Sequence, residues 1–146
     1  MMRDRRLLLV EDDVQDERLT LRALARIHVA NAIDVAHDGA EALDYLFCRG
    51  THAGRDPAAL PAVVLLDLKL PRLSGLEVLE QIRAEPRTRH LPVVILTSSD
   101  DQNDLLNSYD LGVNSYVRKP LEAGEFTRAV ADLGLYWLVL NEPPPR

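Results

Sequence analysis

The chain has 146 residues, of which 47% are hydrophobic, and a formal net charge of −6. This length suits one domain whose core covers a sheet on both faces, and the negative charge argues against nonspecific nucleic-acid binding, which needs a basic surface. A single cysteine, Cys48, excludes an internal disulfide. The basic N-terminus precedes only four apolar residues, Leu7–Val10, too few for a signal sequence or a membrane span, so we expect a cytoplasmic protein.

The first third of the chain alternates between strand-like and helix-like patterns. The apolar run Leu7–Val10 predicts a buried strand, and Asp13 can cap a helix that extends to about His28. Ile33–Ala36 alternates between apolar and polar residues, as a strand near a sheet edge does. After a turn at Asp38, a second helix has an apolar stripe of Ala42, Leu43, Leu46 and Phe47.

Periodicity is lost between Cys48 and Pro61. Gly50, Gly54 and Pro57 indicate a loop that is longer than most helix-to-strand connections. Such a loop either binds a partner or is an insertion tolerated at the surface, and the sequence leaves both interpretations open.

The second half of the chain continues the alternation. Residues 62–66 contain no polar residue, which is typical of a parallel strand covered on both faces. A helix that stops before Pro86 follows, and then residues 93–96 predict a fourth strand. Asp100 or Asp101 can cap the next helix, which ends near Gly112. Tyr116 and Val117 predict a fifth strand, and the last helix starts near Leu121 with an apolar face of Phe126, Val130 and Leu133.

Five strands that alternate with five helices predict an α/β fold with a doubly wound parallel sheet. We expect a single domain over residues 1–146, with a core of about residues 6–133 and a C-terminal extension of residues 134–146. Only one helix and a tail follow the fifth strand, so we expect output through protein contacts rather than through a second domain.

Chemically active side chains follow four of the predicted strands. Glu11 and Asp12 come after the first strand, Asp67 after the third, Thr97 after the fourth and Lys119 after the fifth. A single aspartate at a strand end often only opens a turn. Here the four strand ends meet at one edge of a parallel sheet, where ligand crevices lie, so the combination indicates a site.

A third acid, Asp13, follows Glu11 and Asp12. We assign Asp13 to helix capping because it is the furthest of the three from the strand. A shifted register, in which Asp12 and Asp13 form the functional pair, is the alternative.

With these motifs the sequence resembles the receiver domain of two-component response regulators, over about residues 6–133. The resemblance implies a flavodoxin-like (βα)5 fold with strand order 2-1-3-4-5. It implies that Asp67 is the phosphoacceptor and that Mg²⁺ binds to Asp12, Asp67 and the backbone carbonyl of Lys69, with Glu11 acting through a water. An anionic carboxylate attacks an anionic phosphoryl group only where a cation holds the two together, which explains the need for Mg²⁺.

The same resemblance assigns roles to four further residues. Lys119 and the hydroxyl of Thr97 would bind phosphoryl oxygens, and the peptide bond before Pro120 is expected to be cis. Thr97 and Tyr116 would switch an interaction surface after phosphorylation, although Tyr116 on an apolar strand also fits plain core packing.

Three other function classes are weighed against this one. A haloacid-dehalogenase-like phosphatase also uses an aspartate nucleophile, but it needs a second acid two residues later, where this chain has Lys69. A flavodoxin-like cofactor module would want a phosphate-binding loop after the first strand, where Glu11 and Asp12 repel anions. A receiver-like binding module that is never phosphorylated is the remaining alternative.

The expected partners are a sensor histidine kinase and a downstream protein or phosphotransfer partner, without nucleic acid or membrane. The long loop and the C-terminal residues Tyr136 and Trp137 resemble single-domain response regulators that pair with bacterial phytochromes. The apolar stretch of residues 135–140 predicts a homodimer built on the fourth helix, the fifth strand and the fifth helix and extended by the C-terminal segment, with Trp137 near its centre. The alternative is that this stretch folds back on its own chain.

Overall fold

The computed structural model describes residues 5–27, 33–119 and 122–142. Its strands are β1 (Leu7–Val10), β2 (Ile33–Ala36), β3 (Val63–Leu66), β4 (Val93–Thr97) and β5 (Ser115–Arg118). All five strands are parallel and form one sheet in the order β2-β1-β3-β4-β5, which confirms the predicted fold class and strand order. The last residue of β1 pairs with the last residues of both β2 and β3, so these three strands end at the same level.

The helices are α1 (Val14–Ala25), α2 (Gly39–Phe47), α3 (Gly75–Ala84), α4 (Gln102–Asp110) and α5 (Ala123–Leu135). Asp13 caps α1 and Asp101 caps α4. Gly112 follows α4 with a φ of 85°, the left-handed conformation that favours glycine. None of the described helices is both long and apolar enough to cross a membrane.

Some element boundaries differ from the prediction. α1 ends at Ala25 rather than near His28, because the next two N–H groups bond to carbonyls three residues back and tighten the last turn. β4 runs one residue further than predicted and includes Thr97. α5 begins at Ala123, and both His28 and Leu121 lie outside the described residues.

Helices cover both faces of the sheet. Leu8 and Val10 pack in a cluster with α2 and α3, whereas Leu7 and Leu9 pack in a cluster with α1 and α5. All residues of β1 and β3 are therefore buried, which explains why their sequences contain no polar residue. On the second face, a Cβ on Gly134 would lie 2.5 Å from Leu24 Cδ2, so this glycine allows α5 to approach α1 closely.

The long loop between α2 and β3 contains a short 3₁₀ turn, Gly50–His52, and is anchored to its own chain. The guanidinium of Arg55 lies 3.6 Å from the centre of the Tyr45 ring and donates to the carbonyl of Ala59 at 2.7 Å. Arg87, which follows α3, donates to the carbonyl of Pro57 in the loop. These contacts give the loop a structural reason for its conformation without a partner.

The C-terminal extension continues α5 as a π-helical turn, Tyr136–Leu140. Leu138 is 2% exposed, and Trp137 is partly buried against the core of its own chain. The guanidinium of Arg5 donates to the carbonyl of Asn141 at 3.0 Å and closes the end of the segment. Part of the segment therefore folds back on its own chain, the alternative considered above, while its apolar residues Leu135, Tyr136 and Leu140 stay exposed.

Candidate functional site

The predicted side chains meet at the carboxyl edge of the sheet. Glu11 and Asp67 directly follow β1 and β3, whose last residues are paired. The backbone ladder continues for one more residue, since the N–H of Asp67 donates to the carbonyl of Val10 at 3.2 Å. The N–H of Lys119 likewise donates to the carbonyl of Thr97 at 2.5 Å. The sheet itself therefore fixes the backbone of these residues.

Glu11, Asp12 and Asp67 form a cluster in which one carboxylate oxygen of each lies within 4.8 Å of the others. Glu11 and Asp67 are 3% and 8% exposed, whereas Asp12 is open to solvent. Asp13 instead caps α1, and its Oδ1 accepts from the N–H of Asp16 at 3.0 Å. This geometry favours the Glu11–Asp12 pair over the shifted register. Carboxylate oxygens so close together are suitable ligands for a hard divalent cation such as Mg²⁺.

Lys119 lies beside the three carboxylates and is 4% exposed. Its ammonium donates to Asp16 Oδ2 at 2.8 Å and to Glu11 Oε1 at 3.1 Å, and it lies 3.7 Å from Asp67 Oδ2. Asp16 is not among the site residues predicted from the sequence. Its place in the first turn of α1 was the available signal, because side chains of a helix lean toward its N-terminus, which here meets the carboxyl edge of the sheet.

The pKa values of Glu11 and Lys119 are both shifted in this site. Burial raises the pKa of Glu11 to about 7, the charge of Asp67 adds to this effect, and Lys119 opposes it. Repulsion between neighbouring carboxylates therefore adds to the rise of this pKa, and burial is its larger cause. Burial lowers the pKa of Lys119, but the hydrogen bond to Asp16 and the nearby carboxylates outweigh it, so the net shift is upward. The ammonium is therefore held in its charged form.

Comparison with known proteins identifies the family. The model of the response regulator receiver domain matches residues 7–131. The chain belongs to this family. It is 43% identical to the probable methanogenesis regulatory protein FilR2 of Methanothrix harundinacea, over 94% of this chain and 86% of FilR2.

Two solved structures of similar proteins concern phytochrome response regulators. The bacteriophytochrome response regulator RtBRR is 54% identical, with a TM-score of 0.76 over 97% of this chain and 84% of that one. The phosphorylated cyanobacterial phytochrome response regulator RcpA is 35% identical, with a TM-score of 0.88 over 97% of this chain and 99% of that one. The protein is thus a receiver domain of two-component signalling, and it resembles phytochrome response regulators in particular.

In this receiver domain the hydroxyl residue Thr97 is fully buried at the end of β4. Its Oγ1 accepts a hydrogen bond from the N–H of Ser99 at 3.3 Å, and the Ser99 hydroxyl donates to Asp104 Oδ2 on α4 at 2.6 Å. Thr97 is thereby linked to the start of α4. Neither Ser99 nor Asp104 was assigned a structural role from the sequence, because the link crosses a loop.

Tyr116 lies on β5, next to Ile95 of β4, and packs against the core cluster of α2 and α3. Its hydroxyl is buried and makes no hydrogen bond of good geometry within the described part of the chain, although the Ser99 side chain lies close enough to lower its pKa. Burial is the main reason that the pKa of Tyr116 is raised. A buried hydroxyl without a well-formed hydrogen bond is unfavourable, so this side chain would gain from a rearrangement that supplies one.

The loop between β3 and α3 is pressed against Asp67. A Cβ on Gly75 would lie 2.2 Å from the carbonyl oxygen of Asp67, so only glycine fits at this position. The N–H of Lys69 donates to Asp67 Oδ1 at 3.3 Å, which helps to orient the carboxylate. The carbonyl of Lys69 as a metal ligand stays a prediction, and Pro120, expected to follow a cis bond, lies outside the described residues.

Proposed function

We propose that Asp67 accepts a phosphoryl group from the phosphohistidine of a sensor histidine kinase. The observation that supports this is the close approach of Glu11, Asp12 and Asp67 to each other, with Lys119 beside them. In the transfer, a carboxylate oxygen of Asp67 forms a bond to phosphorus. The bond between phosphorus and the histidine nitrogen breaks, and the nitrogen keeps the electron pair.

The donor set fits Mg²⁺, because three carboxylates share a site in which one ammonium balances only part of their charge. Asp12 and Asp67 would bind the ion directly, with the carbonyl of Lys69 as a third ligand and Glu11 acting through a water. When bound, the ion offsets the repulsion between the carboxylate and the phosphoryl group. Lys119 places its ammonium where charge develops on the phosphoryl oxygens.

Labelling with a small-molecule donor tests the proposal. The chain is incubated with acetyl phosphate and Mg²⁺ and then measured by intact mass spectrometry. We expect one added phosphoryl group in the wild type and in the control Asp132→Asn, an exposed carboxylate on α5, and none in Asp67→Asn. An unlabelled wild type would support the alternative of a binding module that is not phosphorylated. Steady hydrolysis of acetyl phosphate without a labelled chain would support the phosphatase alternative.

Thr97 and Tyr116 are proposed as the switch. Once Asp67 carries the phosphoryl group, the Thr97 hydroxyl donates to one of its oxygens and leaves its contact with Ser99. Tyr116 then moves, because its buried hydroxyl gains from a new environment. With 3-fluorotyrosine incorporated, beryllofluoride and Mg²⁺ should shift the Tyr116 signal in the wild type but not in Thr97→Ala. An identical shift in Thr97→Ala would show that Tyr116 responds independently of Thr97 and would contradict the proposed switch.

The proposed kinase is of the bacteriophytochrome type and the proposed site of action is the cytoplasm. The likeness to RtBRR and RcpA supports this pairing, whereas the likeness to FilR2 does not address it. Output passes to a downstream protein or a phosphotransfer partner that contacts the surface around Thr97 and Tyr116. Faster phosphorylation by a phytochrome kinase than by an unrelated histidine kinase is the expected result, and equal rates would contradict the pairing.

We also propose a homodimer through the outer side of α4 and the C-terminal extension. Leu106 and Tyr109 on α4 are 60% and 53% exposed, and the extension adds the exposed side chains of Tyr136 and Leu140. Tyr136 replaces Trp137 as the expected central residue, because Trp137 packs partly against its own core. Light scattering at increasing concentration should show a dimer for the wild type and for the control Val14→Ala on α1. Tyr136→Asp should be a monomer; a dimer in this variant would contradict the interface.

A further inference from the structure

Asp16 provides the shortest contact of the Lys119 ammonium. Its Oδ2 lies 2.8 Å from Nζ, Glu11 Oε1 lies at 3.1 Å, and Asp67 Oδ2 lies at 3.7 Å, which is beyond hydrogen-bond distance. A lysine ammonium has three N–H donors. Two of them therefore bond to the carboxylates of Asp16 and Glu11, and Asp67 is the nearest further carboxylate to the ammonium among the described residues.

The chain positions Asp16 through the helix cap. Asp13 accepts a hydrogen bond from the backbone N–H of Asp16 at 3.0 Å, which fixes the first turn of α1 directly after Glu11 and Asp12. Because side chains in this turn lean toward the helix N-terminus, the carboxylate of Asp16 reaches the carboxyl edge of the sheet. The side chain is 33% exposed, so it approaches the buried ammonium from the solvent side.

We infer that Asp16 is a positioning residue for the phosphoryl transfer proposed above, on which this inference rests. Together with Glu11 it holds two N–H groups of Lys119, so that the third points to the place where the phosphoryl group binds to Asp67. A lysine has a flexible stem, and a single carboxylate would leave its ammonium free to rotate about that contact. Two acceptors on different elements, the end of β1 and the first turn of α1, remove this freedom.

Electrostatics alone predicts the opposite effect, which makes the inference testable. The charge of Asp16 repels an incoming phosphoryl anion, so removal of the carboxylate would speed labelling if charge were its only contribution. Positioning predicts slower labelling. Glu17 is the control for a general effect of acids near a helix N-terminus. It lies in the same turn as Asp16 but pairs with His37 at 2.9 Å rather than with Lys119.

The experiment measures the initial rate of labelling by acetyl phosphate at fixed Mg²⁺ concentration. We expect Asp16→Ala to be about tenfold slower than the wild type, since a misplacement of about 1 Å can cost about 100-fold and Glu11 still holds the Lys119 ammonium in the variant. Asp16→Asn, which keeps an oxygen acceptor, should fall between the two, and Glu17→Gln should match the wild type. Thermal unfolding of each variant identifies any loss of folded protein.

A second readout observes Lys119 directly. The chain has only two lysines, Lys69 and Lys119, so ¹⁵N-lysine NMR gives one buried and one exposed ammonium. Asp16→Ala should increase the mobility and proton exchange of the Lys119 ammonium, and Glu17→Gln should leave both unchanged. Labelling of Asp16→Ala at the wild-type rate or faster would overturn the inference, as would slow labelling with an unchanged Lys119 signal. An unlabelled wild type would instead overturn the proposed function, and this inference with it.

Discussion

Two charged clusters in this protein use the same kinds of side chain but balance them differently. The edge cluster, at β2 and the start of β1, consists of Arg6, Asp34, Tyr45 and Arg55. Arg6 holds Asp34 with two hydrogen bonds, at 2.9 and 3.0 Å, and the Tyr45 hydroxyl donates to the same carboxylate. The hydrogen bond from Arg6 is the main reason that the pKa of Asp34 lies below its ordinary value.

The site cluster at the carboxyl edge consists of Glu11, Asp12, Asp16, Asp67 and Lys119. Here several carboxylates surround one ammonium, and burial raises the pKa of Glu11 to about 7. One acid is thus stabilised as an anion by its cluster, and the other is destabilised as an anion. The difference teaches that a carboxylate paired with a guanidinium near the surface serves to hold the structure together, whereas a buried carboxylate beside others gains when a cation or a proton binds.

Removal of the cation from each cluster should give the largest difference. At about pH 8 and with a chelator present, Lys119→Met should lower the free energy of unfolding by about 3 kcal/mol, because the buried Glu11 carboxylate then keeps the hydrogen bond from the N–H of Asp13 but has lost its cation. Arg6→Met should cost less than about 1 kcal/mol, since Asp34 is partly exposed and still bonds to Tyr45. Urea unfolding measures both values, and equal losses would break the comparison.

Mg²⁺ should stabilise the site cluster alone. At about ten times its dissociation constant, the ion should raise the free energy of unfolding of the wild type by about 1.4 kcal/mol. Asp12→Asn should lose this increase because it removes a proposed ligand, whereas the control Asp34→Asn in the edge cluster should retain it. Unfolding with and without Mg²⁺ provides the measurement. An unchanged increase in Asp12→Asn would place the ion elsewhere.

Much of the fold and of the candidate site follows from local sequence. Uninterrupted apolar runs predicted the buried strands, and the residue after each run was predicted at the carboxyl edge, as observed for Glu11, Asp67 and Lys119. Such predictions work because the carboxyl ends of all strands in a parallel sheet lie at the same edge. The helix caps at Asp13 and Asp101 could also be predicted, because a cap depends only on residues that are close in the sequence.

The features that sequence reasoning missed depend on how separate elements are rotated against each other. The pairing of Asp16 with Lys119 joins α1 to the end of β5, residues far apart in the chain. Trp137 lies in a π-helical turn and packs partly against its own core, and an apolar stretch reveals neither the turn nor the side that it buries. Long-range contacts of this kind are set by packing, and the sequence pattern specifies only that apolar surface must be covered.

Removal of the Asp34 charge from the edge cluster should give the smallest change in the free energy of unfolding. The pH dependence of this change tests whether its origin is electrostatic. Asp34→Asn should lower the free energy of unfolding by less than about 1 kcal/mol at neutral pH, because solvent screens a pair that is partly exposed. The pKa of Asp34 is lower in the folded chain than in the unfolded chain, where it is about 3.9. The charge contribution is therefore fully present above the unfolded pKa and is lost as the pH falls through the folded pKa.

Urea unfolding over a pH series should show a constant difference between wild type and variant near neutrality that fades in acid, while the control Asp132→Asn shows none. A difference that persists in acid would mean that Asp34 acts through packing and hydrogen-bond geometry rather than through its charge.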